Sequence, residues 1–95
     1  MRRELDLNQI LFEELVEFSR KGLGIPIRDF CAEAHVGTAT YSKAKKKRSI
    51  NPQSLSRLVQ ELCYEMDEPL FMMYGAAALK ALYWAMRGME YKNNG

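Results

Sequence analysis

The segment 36–48 combines small polar side chains with a dense group of cations, and these residue types can bind nucleic acid. Thr38, Ala39 and Thr40 stand at the start of a predicted helix. Five cations follow them: Lys43, Lys45, Lys46, Lys47 and Arg48. Small side chains in the first turn of a helix can approach base edges in a groove, and cations near its end can contact phosphates. A solvated basic loop is the alternative interpretation of this segment taken alone.

The remaining residue types predict neither a catalytic centre nor a bound metal or cofactor. His35 is the single histidine, and no acid, serine or second histidine lies near it at the spacing of a catalytic triad. Metal-ligand spacings and glycine-rich phosphate loops are also absent from the sequence. We therefore expect a protein that is not an enzyme, and we interpret His35 as a structural residue. Cys31 and Cys63 occupy apolar helical patterns and are predicted to be reduced thiols in the core.

Charge is unevenly distributed along the chain. The 95 residues carry a net charge of only +2, and their composition, 47% hydrophobic and 27% charged, is typical of one globular domain. Between Arg20 and Arg57 there are nine cations and two acids, which give +7, whereas the remainder has five cations and ten acids, which give −5. This asymmetry indicates that one face of the protein binds a polyanion and that another face has a different role.

The spacing of apolar residues predicts a compact all-α domain of five or six helices, because no stretch alternates with period two. The first helix covers about 7–20, with Asp6 as its cap and Gly22 and Gly24 as its stop. The second begins near Pro26 and ends by His35, and a short turn separates it from the basic helix. Gly37 or Thr38 caps that basic helix, and Asn51-Pro52 opens a fourth. The predicted buried stripe of the fourth helix is Leu55, Leu58, Val59, Leu62, Cys63 and Met66.

The carboxyl-terminal part of the chain is strongly apolar. Asp67-Glu68-Pro69 repeats the helix-opening signal, and only Lys80 and Arg87 interrupt the apolar surface of 76–89. Such a helix either covers its own core or meets a partner. We predict a homodimer whose interface comprises Leu79, Leu82, Tyr83, Trp84 and Met86.

No membrane association is expected. The apolar run 70–79 is too short to span a bilayer. The amino terminus reaches acids at Glu4 and Asp6 without an apolar segment, so no signal peptide is predicted. The reduced cysteines and the missing signal peptide together favour a cytoplasmic location.

Several of these features occur in an order that is familiar from one family. Leu23-Gly24-Ile25 precedes the second helix, Phe30-Cys31 places a large residue before a small one inside it, and Asn51-Pro52 precedes the spacing of Leu55, Leu58 and Leu62. The order resembles the helix-turn-helix of the Cro/phage-repressor type, also called the XRE family. The resemblance covers roughly 7–74. It implies a helix-turn-helix domain at 1–74 and a helical extension of the same domain at 75–95.

Three positions depart from the family pattern. His35 stands where the family usually has glycine, at a turn that needs a left-handed conformation, which His adopts more readily than a β-branched residue. Tyr41 replaces the branched aliphatic residue that anchors the recognition helix. Ile27 replaces a glutamine that often contacts phosphate, and Arg28 can substitute for it.

The resemblance implies a transcriptional regulator, in particular a repressor, that binds double-stranded DNA at an operator as a dimer. If Tyr41 and Ala44 point inward, the residues expected to contact bases are Thr38, Ala39, Ser42 and Lys43. The residues expected to contact phosphate are Arg28, Lys45, Lys46, Lys47 and Arg48. In the alternative interpretation the helix-turn-helix is a scaffold for protein binding, as in an adaptor or antirepressor of a mobile element, which the modest net charge permits.

Overall fold

The computed structural model describes residues 6–46 and 49–94, with side chains described as far as residue 87. Helix α1 covers 7–23 and consists of three consecutive segments, Leu7–Leu11, Phe12–Glu17 and Phe18–Leu23. The other helices are α2, Ile27–Ala34; α3, Thr38–Lys45; α4, Pro52–Glu65; and α5, Glu68–Asn94. The described residues form no strand, so the predicted all-α class is confirmed with five helices.

Helix α1 widens into a π-helix over its middle segment, Phe12–Glu17. Asp6 caps its start and accepts a hydrogen bond from the Gln9 backbone N–H at 3.1 Å, as predicted. Gly24 ends it in a left-handed conformation with φ of 73°. Gly22 is not part of the stop, because it lies inside the helix against Tyr74. A Cβ at this position would overlap the Tyr74 hydroxyl, so Gly22 allows the close approach of α1 and α5.

The predicted caps of the later helices are present. His35 ends α2 with φ of 58° and ψ of 42°, the left-handed conformation expected at this turn. Gly37 caps α3 without a side-chain hydrogen bond. The Asn51 side chain accepts from the Ser54 backbone N–H at 2.7 Å, and Pro52 stands in the first turn of α4. Asp67 accepts from the Leu70 N–H at 3.0 Å at the start of α5.

The core lies between α1, α2, α3 and α4. Cys31 is buried, as predicted, and burial raises the pKa of its thiol. The prediction of a buried Cys63 is wrong, because this side chain is exposed. It follows Leu62 by one residue, and that step turns the side chain by about 100° away from the core-facing line. The largest fully buried side chains are Tyr41, Phe12, Phe30, Leu58, Leu62 and Val16.

Helix α5 is one uninterrupted helix of 27 residues, so the sixth helix that the sequence left open is not formed. The boundary between 74 and 75 falls inside it. Its first half packs mainly against the middle of α1, where Tyr74 meets Phe18 with ring centroids 5.7 Å apart and Ala78 is buried. Its second half carries large exposed apolar side chains. In the part of the chain that is described, no helix has the length and apolarity needed to cross a membrane.

Candidate nucleic-acid interface

Helix α3 has one buried face and one exposed face. Tyr41 and Ala44 both have 0% exposure and point into the core, which fulfils the condition set for base contact. The exposed residues of this helix include all four that were predicted to contact bases: Thr38, Ala39, Ser42 and Lys43. The helix therefore presents small polar side chains in its first turn and a lysine toward its end.

A buried polar cluster anchors α3 to α1. The Tyr41 hydroxyl donates a hydrogen bond to Oε1 of Glu17 at 2.6 Å and accepts one from Nε of Arg20 at 3.1 Å. Arg20 also donates from Nη2 to Oε2 of Glu17 at 3.0 Å and from Nη1 to the Ile25 carbonyl at 2.6 Å. The Tyr41 ring meets the edge of Phe12 with centroids 4.9 Å apart. Tyr41 thus anchors α3 through both its ring and a hydrogen-bonded cluster.

The pKa values of this cluster follow from its partners. Burial raises the pKa of the Glu17 carboxyl, but hydrogen bonds from Arg20 and Tyr41 and the charges of Arg20 and Lys45 outweigh burial. The net pKa of Glu17 is therefore below its usual 4.5. Burial and the Glu17 carboxylate raise the pKa of Tyr41 far above 10.0. At neutral pH the cluster holds a charged carboxylate and a neutral phenol that donates to it.

Gln9 holds the last turn of α3. Its Nε2 donates to the Ala44 carbonyl at 2.7 Å and to Oε2 of Glu13 at 2.9 Å. Helix α3 is therefore bound to α1 at its middle, through Tyr41, and at its end, through Gln9. Gln9 could not be selected from the sequence, because a polar residue in an amphipathic helix carries no indication of a partner 35 residues away.

The cations predicted to contact phosphate differ in their surroundings. Arg28, Lys43 and Lys46 are exposed. Lys45 turns toward α1, with its Nζ 3.8 Å from Oε2 of Glu17, and part of its charge is offset there. Lys47 and Arg48 lie outside the described residues. Arg57, which sequence reasoning did not select, donates to the His35 carbonyl at 3.2 Å and so reaches the turn between α2 and α3.

A concave surface lies between α2 and α4, and two acids are among the residues that line it. It encloses about 430 Å³. Its lining comprises Glu33, Ala34, His35, Arg57, Gln60, Glu61 and Tyr64. Glu61 is only 8% exposed, and burial, a hydrogen bond to Glu65 and the charges of Glu65 and Glu33 raise its pKa to about 7. A surface with these acids does not favour a polyanion. No metal-binding group of acids, histidine and cysteine occurs in the described residues.

The residues predicted to form a dimer interface are mostly exposed. Leu79 has 66% exposure, Tyr83 has 52%, Trp84 has 59% and Met86 has 45%, whereas Leu82 is half-buried. A shallow apolar groove of about 540 Å³ runs along this part of α5. The groove is lined by Ala76, Leu79, Lys80, Leu82, Tyr83 and Met86.

Comparison of the chain with protein-family models, with curated proteins and with solved structures found no match.

Proposed function

We propose that the protein is a transcriptional regulator that binds double-stranded DNA sequence-specifically and acts in the cytoplasm as a repressor. The observation that carries this proposal is the exposed face of α3, which has small polar side chains in its first turn, lysines in its last turn and no acid. Eight helical residues are about 12 Å long, and the major groove is about 12 Å wide. The helix thus has a length and a surface suited to that groove.

Each exposed side chain of α3 has a role that follows from its chemistry. Thr38 and Ala39 contact thymine methyl groups, and Lys43 donates to the guanine O6 and N7 atoms. Ser42 can donate to or accept from either base pair. Lys46 contacts phosphate beside the groove. Occupation of an operator by this helix blocks polymerase sterically.

The anchoring cluster supports this assignment because base readout requires a fixed helix. Side chains that contact bases must be held close to their productive geometry by groups that are themselves locked in place. The hydrogen bonds of Tyr41 and Gln9 restrain α3 at two points along its length. Lys45 can change its partner on binding. Its Nζ lies 3.8 Å from Oε2 of Glu17, and this long ion pair can be replaced by a shorter contact with a phosphate.

The regulator is proposed to act as a homodimer. Helix-turn-helix dimers bind two half-sites about one helical turn apart, and the second half-site multiplies the information that one short helix can read. The exposed apolar side chains of α5 support the dimer, because contiguous exposed apolar surface on a soluble domain marks an interaction site.

A protein-binding adaptor or antirepressor of a mobile element is the second candidate. The observation that favours it is that the exposed apolar surface lies on α5, away from the basic helix. Salt distinguishes the two functions, because DNA affinity falls steeply with salt as counterions are released, whereas an apolar protein interface is nearly insensitive.

The test is selection of bound fragments from genomic DNA, followed by titration of the selected site at several salt concentrations. Lys43→Ala should cost about 1–3 kcal/mol on the selected site and much less on random DNA. Lys46→Ala should weaken both equally and reduce the salt slope by about one unit.

A double variant, Lys80→Ala with Arg87→Ala, is the matched control, since it removes two exposed cations from α5 instead of α3. It should leave the affinity for a half-site within error of the parent protein. An equal loss in the control, or no fragment enriched from genomic DNA at low salt, would contradict the proposal.

A further inference from the structure

Five residues of α5 form a regular exposed line at the spacing of a coiled coil. Their separations are four, three, four and three residues, the pattern of alternating d and a positions in a heptad. We call this line the α5 seam; it comprises Met72, Ala76, Leu79, Tyr83 and Met86. All five are exposed, with Met72 at 62% and Leu79 at 66%.

The seam is separate from the side of α5 that packs on the rest of the chain. The residues that contact or enter the core, Leu70, Phe71, Tyr74 and Ala78, lie on the opposite side of the helix. Trp84 is exposed but falls outside the seam. Its ring contacts the Tyr83 ring in an edge-to-face arrangement, with the two ring centroids 5.4 Å apart. A second helix can therefore approach the seam without displacing the packing of α5 on the core, and the one cation beside a seam ring is Arg87, 5.9 Å from the centroid of Tyr83 in the described residues.

We infer that the seam pairs with the same seam of a second copy of this chain, as a short parallel two-stranded coiled coil. The inference rests on the homodimer in the proposed function and adds its surface, orientation and register. In parallel pairing Ala76 faces Ala76 of the second copy and Tyr83 faces Tyr83, with Leu79 against Leu79 in the layer between them.

Charge beside the seam selects the parallel orientation. With Met72, Leu79 and Met86 at d positions, Lys80 and Arg87 occupy e positions, whereas Gly75 and Leu82 occupy g positions. An antiparallel pair places e against e and brings the four cations together. A parallel pair places e against g, so each cation meets an uncharged residue instead.

The exposed area fits a weak dimer. An exposed large side chain contributes about 200 Å², and the four large seam residues are each roughly half exposed. With part of the flanking residues the pair buries about 1,000 Å² in total, the lower bound for a specific interface. We therefore expect a micromolar dissociation constant, so that the dimer forms fully only at high concentration or on DNA.

Cysteine cross-linking tests the register. In a Cys63→Ser background, which removes the exposed thiol, Ala76→Cys and Tyr83→Cys should each form a disulfide dimer under mild oxidation. Facing positions of this kind lie within bridging distance. Ala77→Cys is the matched control, since Ala77 is exposed and adjacent to Ala76 but off the seam, and this variant should form no disulfide dimer. Disulfides that form only when the Ala76→Cys protein is mixed with a Leu79→Cys or a Met86→Cys protein would show antiparallel pairing, in which a positions face d positions, and would overturn the inference.

Sedimentation velocity in the absence of DNA tests whether a second copy of this chain is the partner that covers the seam. Leu79→Glu should increase the dissociation constant at least tenfold, whereas Tyr64→Glu, a substitution of an exposed large residue on α4, should not change it. Because both side chains are more than half exposed, both variants should keep the parent's helical circular dichroism. A parent protein that stays monomeric at hundreds of micromolar would overturn the inference and indicate a different protein as the occupant. If that monomer still binds its operator half-site, the proposed DNA-binding function stands although the inference fails. A dimer that binds no DNA would support the inference and contradict the proposed DNA-binding function.

Discussion

Two glutamates in the same small core have opposite environments. Glu17, between α1 and α3, receives hydrogen bonds from Arg20 and Tyr41, and its pKa lies below 4.5. Glu61, between α2 and α4, is only 8% exposed, but its charged neighbours include two further acids, Glu65 and Glu33, and its pKa is raised to about 7.

The difference shows how the chain uses burial of charge in two ways. At Glu17 a buried carboxylate is compensated by a cation, and the pair is used to hold α3 against α1. At Glu61 burial is uncompensated, so the protonated form is favoured near neutral pH. The two sites therefore predict opposite responses to neutralising the carboxylate, a loss of stability at Glu17 and a gain at Glu61.

The largest effect is expected from Glu17→Gln. Arg20 is only 8% exposed, and the substitution leaves its guanidinium without a counter-ion, a situation that costs about 3 kcal/mol or more. Urea denaturation at pH 7 measures the loss. Glu14→Gln is the matched control, because Glu14 lies on the same helix and is exposed, and it should change the free energy of unfolding by less than about 0.5 kcal/mol. Equal effects of the two substitutions would show that the cluster does not anchor α3.

A smaller loss is expected from Tyr41→Phe. The substitution keeps the ring against Phe12 and removes only the hydroxyl that donates to Glu17 at 2.6 Å. Loss of a buried hydrogen bond to a charged group costs about 1.5–3 kcal/mol, and the remaining pair of Glu17 and Arg20 keeps the cost near the lower value. Tyr83→Phe, at an exposed ring, should be neutral by the same denaturation measurement. A neutral Tyr41→Phe would mean that the ring alone positions α3.

What could be predicted from the sequence is the part that depends on local spacing. The caps at Asp6 and Asn51 follow from a few neighbouring residues, whereas the left-handed His35 and the inward Tyr41 were expectations from the family resemblance. Cys63 was misassigned because an apolar residue next to a buried stripe has the same local pattern as a member of the stripe.

The contacts that distinguish Glu17 from Glu61 could not be predicted, because they join distant parts of the chain. Tyr41 lies 24 residues from Glu17, and the Gln9 bond to Ala44 spans 35. The approach of Tyr74 to Gly22 depends likewise on how α5 crosses α1. Periodicity shows which face of a helix is buried, but not which polar groups meet across the core.

The smallest effect, and the one with the opposite sign, is expected from Glu61→Gln. The folded-state pKa of Glu61, about 7, exceeds its usual 4.5, so between these pH values the folded protein binds more protons than the unfolded chain. Its contribution to stability is therefore fully present below pH 4.5 and is lost as the pH rises through 7.

Glutamine cannot ionise, so the free energy of unfolding of the variant should match that of the parent near pH 4.5 and exceed it by roughly 1 kcal/mol at pH 8. This value is kept modest because water reaches the open groove. The other charged groups around Glu61 are His35, Arg57 and Glu33 in the lining of the groove and its hydrogen-bond partner Glu65, and all four are present in both proteins. Urea denaturation of both proteins from pH 4.5 to 8 measures this difference, and a difference that does not change with pH would show that Glu61 ionises in the folded protein as it does in the unfolded chain.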